Sequence, residues 1–299
     1  MCTNQPYISI CITTYNGEKF VRQQIDSILK QTLKPFEIII CDDCSTDNTI
    51  EILNELRTKE PLLKLFLNET QLGVIKNFEK AISLCTGEFI ALSDQDDIWE
   101  SDKLEKQFFE INNFKYSGQI GIPLLCVHDL AIITMAGKQK EQSLWKKLGD
   151  NPVIPNSNIT FANKYYGCTM LFNKALKEKI LPFPNNLPMH DHWIALNAYG
   201  LGKILTVDST LIKYRRHGNN ITSLSNNNSF INRLKIYLND CFGYEYKRKE
   251  IMQVEEFYLR HKYDIIQEYS KMLKTIIKLK KYNNLIRRIY FSTKYRLTK

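Results

Sequence analysis

The longest apolar stretch in this chain of 299 residues, Ile120 to Met135, is interrupted by His128 and Asp129, so no segment reads as a membrane span. The N-terminus also lacks a charged region followed by a long apolar one, and a secretory leader is not expected. Metal-ligand spacing is missing from the eight cysteines. Cys41 and Cys44 form a C-x-x-C, but Asp42 and Asp43 fill it and no second pair follows. Several others lie in apolar runs, where a free thiol behaves as a small hydrophobe, which points to a reducing compartment. Neither a G-x-G-x-x-G nor a Walker A sequence occurs, which removes support for dinucleotide and ordinary nucleoside-triphosphate binding. No repeat recurs at a solenoid period. Acidic residues are absent after Ser270: the charged residues there are Lys271, Lys274, Lys278, Lys280, Lys281, Arg287, Arg288, Lys294, Arg296 and Lys299. That tail accounts for the net charge of +9 and leaves the body near neutral. A cytosolic or peripherally membrane-bound protein is expected.

What is present is an alternation of short apolar runs and helical spacing. Tyr7 to Thr14, Phe36 to Cys41, Leu63 to Leu67 and Phe89 to Leu92 read as strands. Phe20 to Leu29, Ile50 to Leu56 and Val74 to Leu84 between them carry apolar residues at helical spacing. Such alternation predicts βαβ units, a mainly parallel sheet and a nucleotide-binding α/β half over residues 1–103. Beyond it, Lys103 to Asn112 reads as helix, Leu124 to Ile133 and Gly167 to Phe172 as strands, and Pro188 to Tyr199 as helix. Ile204 to Val207 and Leu211 to Tyr214 read as two short strands. The Asn- and Ser-rich stretch Gly218 to Ser229 marks a boundary. It separates a domain over 1–222, whose acceptor-binding half is 104–222, from a helical extension over 223–299. In that extension Met272, Leu273, Ile276, Ile277, Leu279, Ile286 and Ile289 recur opposite the lysines. The basic amphipathic pattern fits either a helix packed on the body or, with Tyr282, Tyr290, Phe291 and Tyr295, an anionic membrane interface, and the second is preferred.

Ligands of open α/β sheets bind beyond the carboxyl ends of the strands. The first strand ends in Thr13-Thr14-Tyr15-Asn16-Gly17, the second in Asp42-Asp43, and the fourth in Ser93-Asp94-Gln95-Asp96-Asp97. Three carboxylates crowded at a strand end repel one another, and a divalent cation with hard oxygen ligands, Mg²⁺ or Mn²⁺, relieves that repulsion. The plain alternative is a solvated acidic loop. Further on, Met189-His190-Asp191-His192-Trp193 places a carboxylate at a helix start, where a capping role fits equally well. Tyr214-Arg215-Arg216-His217 follows a short strand.

The stretches ISICITTYNGEKFVRQQIDSILKQT from Ile8, IIICDDCSTDNTIEI from Ile38 and GEFIALSDQDDIWESDKL from Gly87 together resemble the family 2 glycosyltransferases with a GT-A fold. The resemblance covers about residues 5–222. It implies an α/β, Rossmann-like sheet with helices on both faces, a helical extension, and a nucleotide-sugar donor. By the same resemblance Thr13, Asp43, Tyr15 and Asp42 hold the nucleobase, with Asn16, Asn77, Arg215 and Arg216 completing the donor site. Asp94 meets the ribose or the metal, Asp96 binds the metal, and His217 completes it. The H-D-x-W element makes Asp191 the general base that deprotonates the acceptor, with His190 and His192 positioning it. Asp97, Trp99 and Trp193 fall to the acceptor side, and Gly167-Cys168-Thr169-Met170 resembles the strand bordering it.

The D-Q-D-D-I-W run is similar to that of bacterial enzymes building O-antigen or capsule repeat units on undecaprenyl diphosphate. The resulting expectation is an inverting single-hexose transferase using UDP-glucose or UDP-galactose, with dTDP-rhamnose as the alternative donor. Processive synthesis is not expected, since membrane spans and a Q-x-x-R-W sequence are missing. A sugar-nucleotide pyrophosphorylase would open on a Gly-rich basic loop where T-T-Y-N-G stands. A non-catalytic nucleic-acid-binding protein would explain the basic tail but not Asp42, Asp43, Asp94, Asp96 and Asp191, so no nucleic-acid partner is expected.

Overall fold

The computed structural model describes residues 6–116, 121–149, 155–160, 162–217, 248–265 and 267–278. Two compact units are present, and most of the larger lies within residues 1–155, 164–183 and 189–217. In it strands β1 (Ile8–Thr14), β2 (Glu37–Asp42), β3 (Leu63–Leu67) and β4 (Phe89–Ser93) alternate with helices α1 (Val21–Leu29), α2 (Thr49–Lys59) and α3 (Val74–Leu84). Two-residue β5 (Ile98–Trp99) and helix α4 (Lys103–Tyr116) follow. Next come β6 (Leu124–Thr134), β7 (Gln139–Glu141), α5 (Leu144–Leu148), β8 (Leu171–Asn173), α6 (Lys174–Ile180), α7 (His190–Leu201) and β9 (Lys203–Arg216).

All nine strands form one sheet in the order β3-β2-β1-β4-β8-β6-β9-β5, with β7 beside β6. The β3-β2-β1-β4 ladder and the β6–β9 pair are parallel, while β8 runs antiparallel to both of its neighbours. Strands β1, β2 and β4 are nearly continuous buried runs, as expected of parallel strands inside a sheet. In β1, for example, Ile8, Ile10, Ile12 and also Ser9 and Cys11 are buried. Helix α1 forms because Val21, Gln24, Ile25 and Ile28 fall on one buried stripe at helical spacing.

Chain order reverses at β1, which has β2 on one side and β4 on the other. That makes the carboxyl end of β1 the topological switch point, where loops leave in opposite directions and open a crevice. Register places Thr14 beside Asp42 and Ile12 beside Ser93, so the three notable strand ends lie at one rim.

Four local expectations change. Gly167 to Thr169 is a 3-10 turn, and only Leu171–Asn173 pairs as strand. The two short strands expected after residue 203 are one continuous strand, β9, because β6 offers a partner along its whole length. The brief elements β5, β7, α5 and α6 carry too little periodicity to be seen in advance. Helix α2 runs on to Lys59, three residues past the apolar pattern.

The smaller unit holds, among the described residues, a 3-10 turn (Ser157–Thr160) and helices α8 (Arg248–His261) and α9 (Gln267–Lys278). Phe257 packs between His261 and Tyr269, and the Tyr269 hydroxyl bonds Thr160 Oγ1 at 3.1 Å. Helix α9 buries Tyr269, Leu273 and Ile276 and carries Lys271, Lys274 and Lys278 outside that stripe. The rest of the basic tail, and the Gly218 to Ser229 boundary, lie outside the described residues. No helix among the described residues is long and apolar enough to cross a membrane.

Candidate active site

The rim of the crevice is fastened by its own side chains. Asp42, fully buried, accepts from Thr14 Oγ1 at 2.7 Å and from the Ser45 backbone N–H and hydroxyl at 2.8 and 2.6 Å. Asp43 accepts from Asn68 Nδ2, Leu72 N–H and Gly73 N–H at 2.7–2.8 Å, folding the loop before α3 beneath it. Gly73 stands at φ +77°, a conformation that suits glycine. Asn77 brackets the same loop, donating to the Cys41 carbonyl at 2.9 Å and accepting from Asn68 at 3.0 Å. Asp42 and Asp43 thus each accept three bonds, with one oxygen of each carrying a single bond, and Asp42 is fully buried while Asp43 is 4% exposed. Thr13 is half-buried beside them.

Asn16 takes φ +50° and ties two loops, donating its N–H to Ser45 Oγ and accepting from Thr46 N–H on Oδ1 at 2.8 Å. Tyr15 is 45% exposed, an aromatic residue at the rim. Its backbone is gripped at both ends by the Gln95 amide, Tyr15 N–H to Oε1 and Nε2 to the Tyr15 carbonyl, each 2.9 Å. Gly17 makes that possible, because a Cβ there would stand 2.3 Å from Gln95 Oε1.

The acidic loop after β4 is short of positive charge. Burial, then the neighbouring Asp96 and Asp191 carboxylates, push the Asp94 carboxyl up to about 7. Asp96 is also raised by burial, against the pull of His217. Asp97 is raised well above the usual range by burial and by Asp96 and Asp94. The Nε2 atom of His217 lies 2.7 Å from Asp96 Oδ2. An imidazole nitrogen and a carboxylate oxygen at that spacing can serve as adjacent ligands of one ion, and bonds of about 2.0–2.2 Å suit Mg²⁺ or Mn²⁺. The donor set, carboxylates plus one imidazole, fits a hard divalent cation.

Asp94, Asp97 and Cys168 form a second tight group, their ligand atoms within 4.8 Å of one another. Burial and the Asp97 and Asp94 charges keep the Cys168 thiol well above its usual range, so it is held neutral. Asp97 is buried, with Oδ1 accepting the Arg215 N–H at 3.0 Å. Beneath lies Lys103, also fully buried, its ammonium depressed to about 7 by burial. Lys103 donates to Gln107 at 2.9 Å and rests 3.9 Å over the Trp99 ring. Trp99 is thus buried in the core under a lysine, a packing residue without surface for a sugar ring.

Asp191 stands in the first turn of α7, half-buried, and accepts the His192 N–H at 2.6 Å. A helix N-terminus favours negative charge there. Its charge raises the carboxyl of Asp94 and the hydroxyl of Tyr166. His190 is held neutral, its basicity lowered to about 3 by burial, and stacks on Phe78 at 4.1 Å. Trp193 is wholly buried and donates to the Ile180 carbonyl at 2.9 Å, so it anchors α7 on α6 and offers nothing to an acceptor. His192 is likewise buried. A Cβ on Gly167 would meet His190 Nε2 at 2.9 Å and Asp191 Cβ at 3.8 Å.

Arg215 is 3% exposed, and its guanidinium donates to the Asp96 carbonyl, the Met135 carbonyl and Gln23 Oε1 at 2.8–2.9 Å. Those bonds occupy the fork that a diphosphate grip would need. Arg216, half-buried, acts on Tyr166 and lies on the Asp191 side. The structure thus brings Asp94, Asp96, Asp191 and His217 together around the switch point and sets Arg215, Trp99 and Trp193 behind it. Phe20, Gln23, Gln95 and Gly17 are contributors that the motifs do not announce, although Gln95 sits inside the acidic run and Gly17 closes T-T-Y-N-G.

A mainly parallel α/β sheet with a crevice at its switch point and an acidic strand end is the architecture the chain presents, and solved structures share its fold. The S. aureus TarS fragment 1-349, crystallised with UDP-GlcNAc, superposes with a TM-score of 0.64 at 22% identity, over 97% of this chain and 76% of that one. That likeness establishes the GT-A fold. Residues 9–178, more than half of the chain, match glycosyl transferase family 2, and the chain belongs to that family and is a transferase enzyme. An uncharacterized glycosyltransferase of Haemophilus influenzae is 27% identical over 75% of this chain and 69% of its own length. TuaG of Bacillus subtilis, whose name provisionally assigns it to teichuronic acid biosynthesis, is 31% identical over 40% of this chain and 51% of its own.

Proposed function

We propose that the protein is an inverting, metal-dependent glycosyltransferase that moves one hexose from a UDP-sugar to a lipid-linked saccharide in bacterial surface-polysaccharide assembly. The observation that carries the reading is the pairing of Asp96 with His217 at 2.7 Å, beside Asp94 and facing Asp191. In this reading Asp43 accepts from the nucleobase, the exposed Tyr15 ring stacks on it, and Thr13 lines the same side. Asp94, Asp96 and His217 would hold Mn²⁺ or Mg²⁺, which supplies neutralisation for the charge growing on the departing nucleoside diphosphate.

Asp191 takes the proton from the acceptor hydroxyl as that oxygen attacks the anomeric carbon from the face opposite the diphosphate. A carboxylate suits the task because the hydroxyl gives up its proton only as the new bond forms. Single displacement inverts the anomeric centre, so an α-linked donor gives a β product. Two supports extend the reading to the acceptor: the surface-polymer assignment carried by TuaG, and the lysines of α9 that continue into the basic tail. The proposed location is the cytoplasmic face of the cell membrane, reached through that tail. The UDP-GlcNAc bound to TarS supports a uridine donor.

The test is a screen of nucleotide sugars with Mn²⁺ or Mg²⁺ and a synthetic lipid-diphosphate GlcNAc acceptor, repeated with chelator. Transfer from one donor that stops with chelator supports the reading. Absence of any nucleotide binding overturns it.

A further inference from the structure

Arg215 does several things at one point. Its backbone N–H donates to Asp97 Oδ1 at 3.0 Å, and its Nε donates to the Asp96 carbonyl at 2.9 Å. One terminal nitrogen donates to the Met135 carbonyl at 2.9 Å, the other to Gln23 Oε1 at 2.8 Å. The guanidinium carbon sits 4.7 Å over the Phe20 ring, and the same ring stacks on His217 at 5.5 Å and 25°. The acidic loop, the start of α1 and the end of β9 therefore meet on one side chain. Register explains why. Beta5, which directly follows the loop, pairs antiparallel with β9 through Ile98–Lys213 and Trp99–Ile212. Continued by two residues, that ladder brings Asp96 and Asp97 alongside Tyr214 and Arg215, so the arginine extends through its side chain a pairing that the backbone begins.

We infer that Arg215 is the positioning residue that sets Asp96 and His217 against each other as a preformed pair of metal ligands, with Asp97, Phe20 and Gln23 as its supports. This role rests on the metal-dependent reading above. The two ligands come from segments 121 residues apart in the chain, and each is a neighbour of a residue that Arg215 holds. Groups that orient ligands without touching the ion commonly change metal affinity by about 10–100-fold when removed. The planar fork is what lets one side chain serve three acceptors in different directions, which a lysine ammonium on the same stem does not reproduce.

The experiment is a Mn²⁺ titration of the full chain in saturating UDP, following the electron paramagnetic resonance signal of free Mn²⁺, with UDP affinity and the unfolding midpoint measured alongside. Arg215→Gln is expected to weaken Mn²⁺ binding about tenfold or more while UDP binding without metal stays within twofold. Arg215→Lys should recover part of the loss. Because Arg215→Gln removes buried bonds and can lower folding yield, Gln23→Ala and Phe20→Leu test the same brace from its exposed and half-buried sides and should each weaken Mn²⁺ by a smaller factor. Unchanged Mn²⁺ affinity in the folded variants, with the wild type binding Mn²⁺, overturns the positioning role alone. No Mn²⁺ binding by the wild type overturns the metal reading, and this role with it.

Discussion

Gln95 and the backbone of Tyr15 are joined as a strand pair would be, the amide of one side chain satisfying both the N–H and the carbonyl of the other residue at 2.9 Å. The bond pair spans 80 positions and couples the acidic loop to the loop that presents the exposed Tyr15 ring. The Tyr15 loop and the acidic loop are thereby held at a fixed separation.

Gly17→Ala should break this coupling, since the new Cβ meets Gln95 Oε1 at 2.3 Å and the amide must leave. A rise of roughly tenfold in donor KM is expected, because small misplacements of bound groups are costly in rate and affinity. Gln95→Ala should do the same, and the double variant should be no worse than either single one. Additive losses in that cycle would show that Gly17 acts through something other than Gln95.

Asp191→Asn is expected to keep UDP-sugar affinity and metal dependence while lowering kcat by about a hundredfold or more, the usual contribution of a general base. Calorimetric binding beside steady-state transfer separates the two effects. Asp96→Ala should do the reverse and remove the metal-dependent part of donor binding. Donor affinity that ignores both chelator and Asp96→Ala would leave no metal site at this loop.

Gly167→Ala tests how tightly α7 is seated. Its Cβ would lie 2.9 Å from His190 Nε2, and the His190 ring has Phe78 stacked on it at 4.1 Å, so the imidazole cannot simply swing away. The start of α7 must shift, carrying Asp191 with it. The expected result is a fall of about tenfold in kcat with donor affinity unchanged, measured in the same assay.

Glu37 gives a pH dependence of stability unrelated to catalysis. Burial alone would raise its carboxyl, but bonds from Lys64, the Thr86 N–H and hydroxyl, and Ser9 bring it down to about 2. A carboxyl whose folded value lies below its unfolded one stabilises the fold above the unfolded value, and that stability is lost as pH falls toward the folded value. Wild-type stability should therefore drop between about pH 4.5 and pH 2, and Glu37→Gln should flatten that limb while costing stability at neutral pH. Urea unfolding at a series of pH values reads the difference.

Much of this architecture could be read from local signals. Strands such as Phe89–Ser93 are short apolar runs between helices with clear stripes, and the acidic loop follows directly from where β4 stops. Side-chain duty was less legible. Asp42 and Asp43 stand together in the chain, yet only the folded loops show that Asp42 is bonded by Thr14 and Ser45 while Asp43 is bonded by Asn68, Leu72 and Gly73. Arg215 looks in sequence like a cation free for phosphate, and its acceptors on Asp96, Met135 and Gln23 are brought to it only by sheet order. Trp193 reads as an aromatic near a sugar site until burial places it in the core, where Trp99 also lies. Spacing along a chain reports neighbours on one element, and it carries no information about which distant strand will lie alongside.

The length of β9 bears on how such enzymes can be cut and recombined. The family 2 match spans residues 9–178, but β9 runs to Arg216 and delivers Arg215 and His217 to the acidic loop. A fragment bounded by that similarity would carry the donor-side loops without the strand that completes them. During synthesis Asp96 gains its His217 partner only after nearly forty further residues have emerged, and a chimaera exchanging the later half between relatives must match β9 to β5 as well as to its own acceptor.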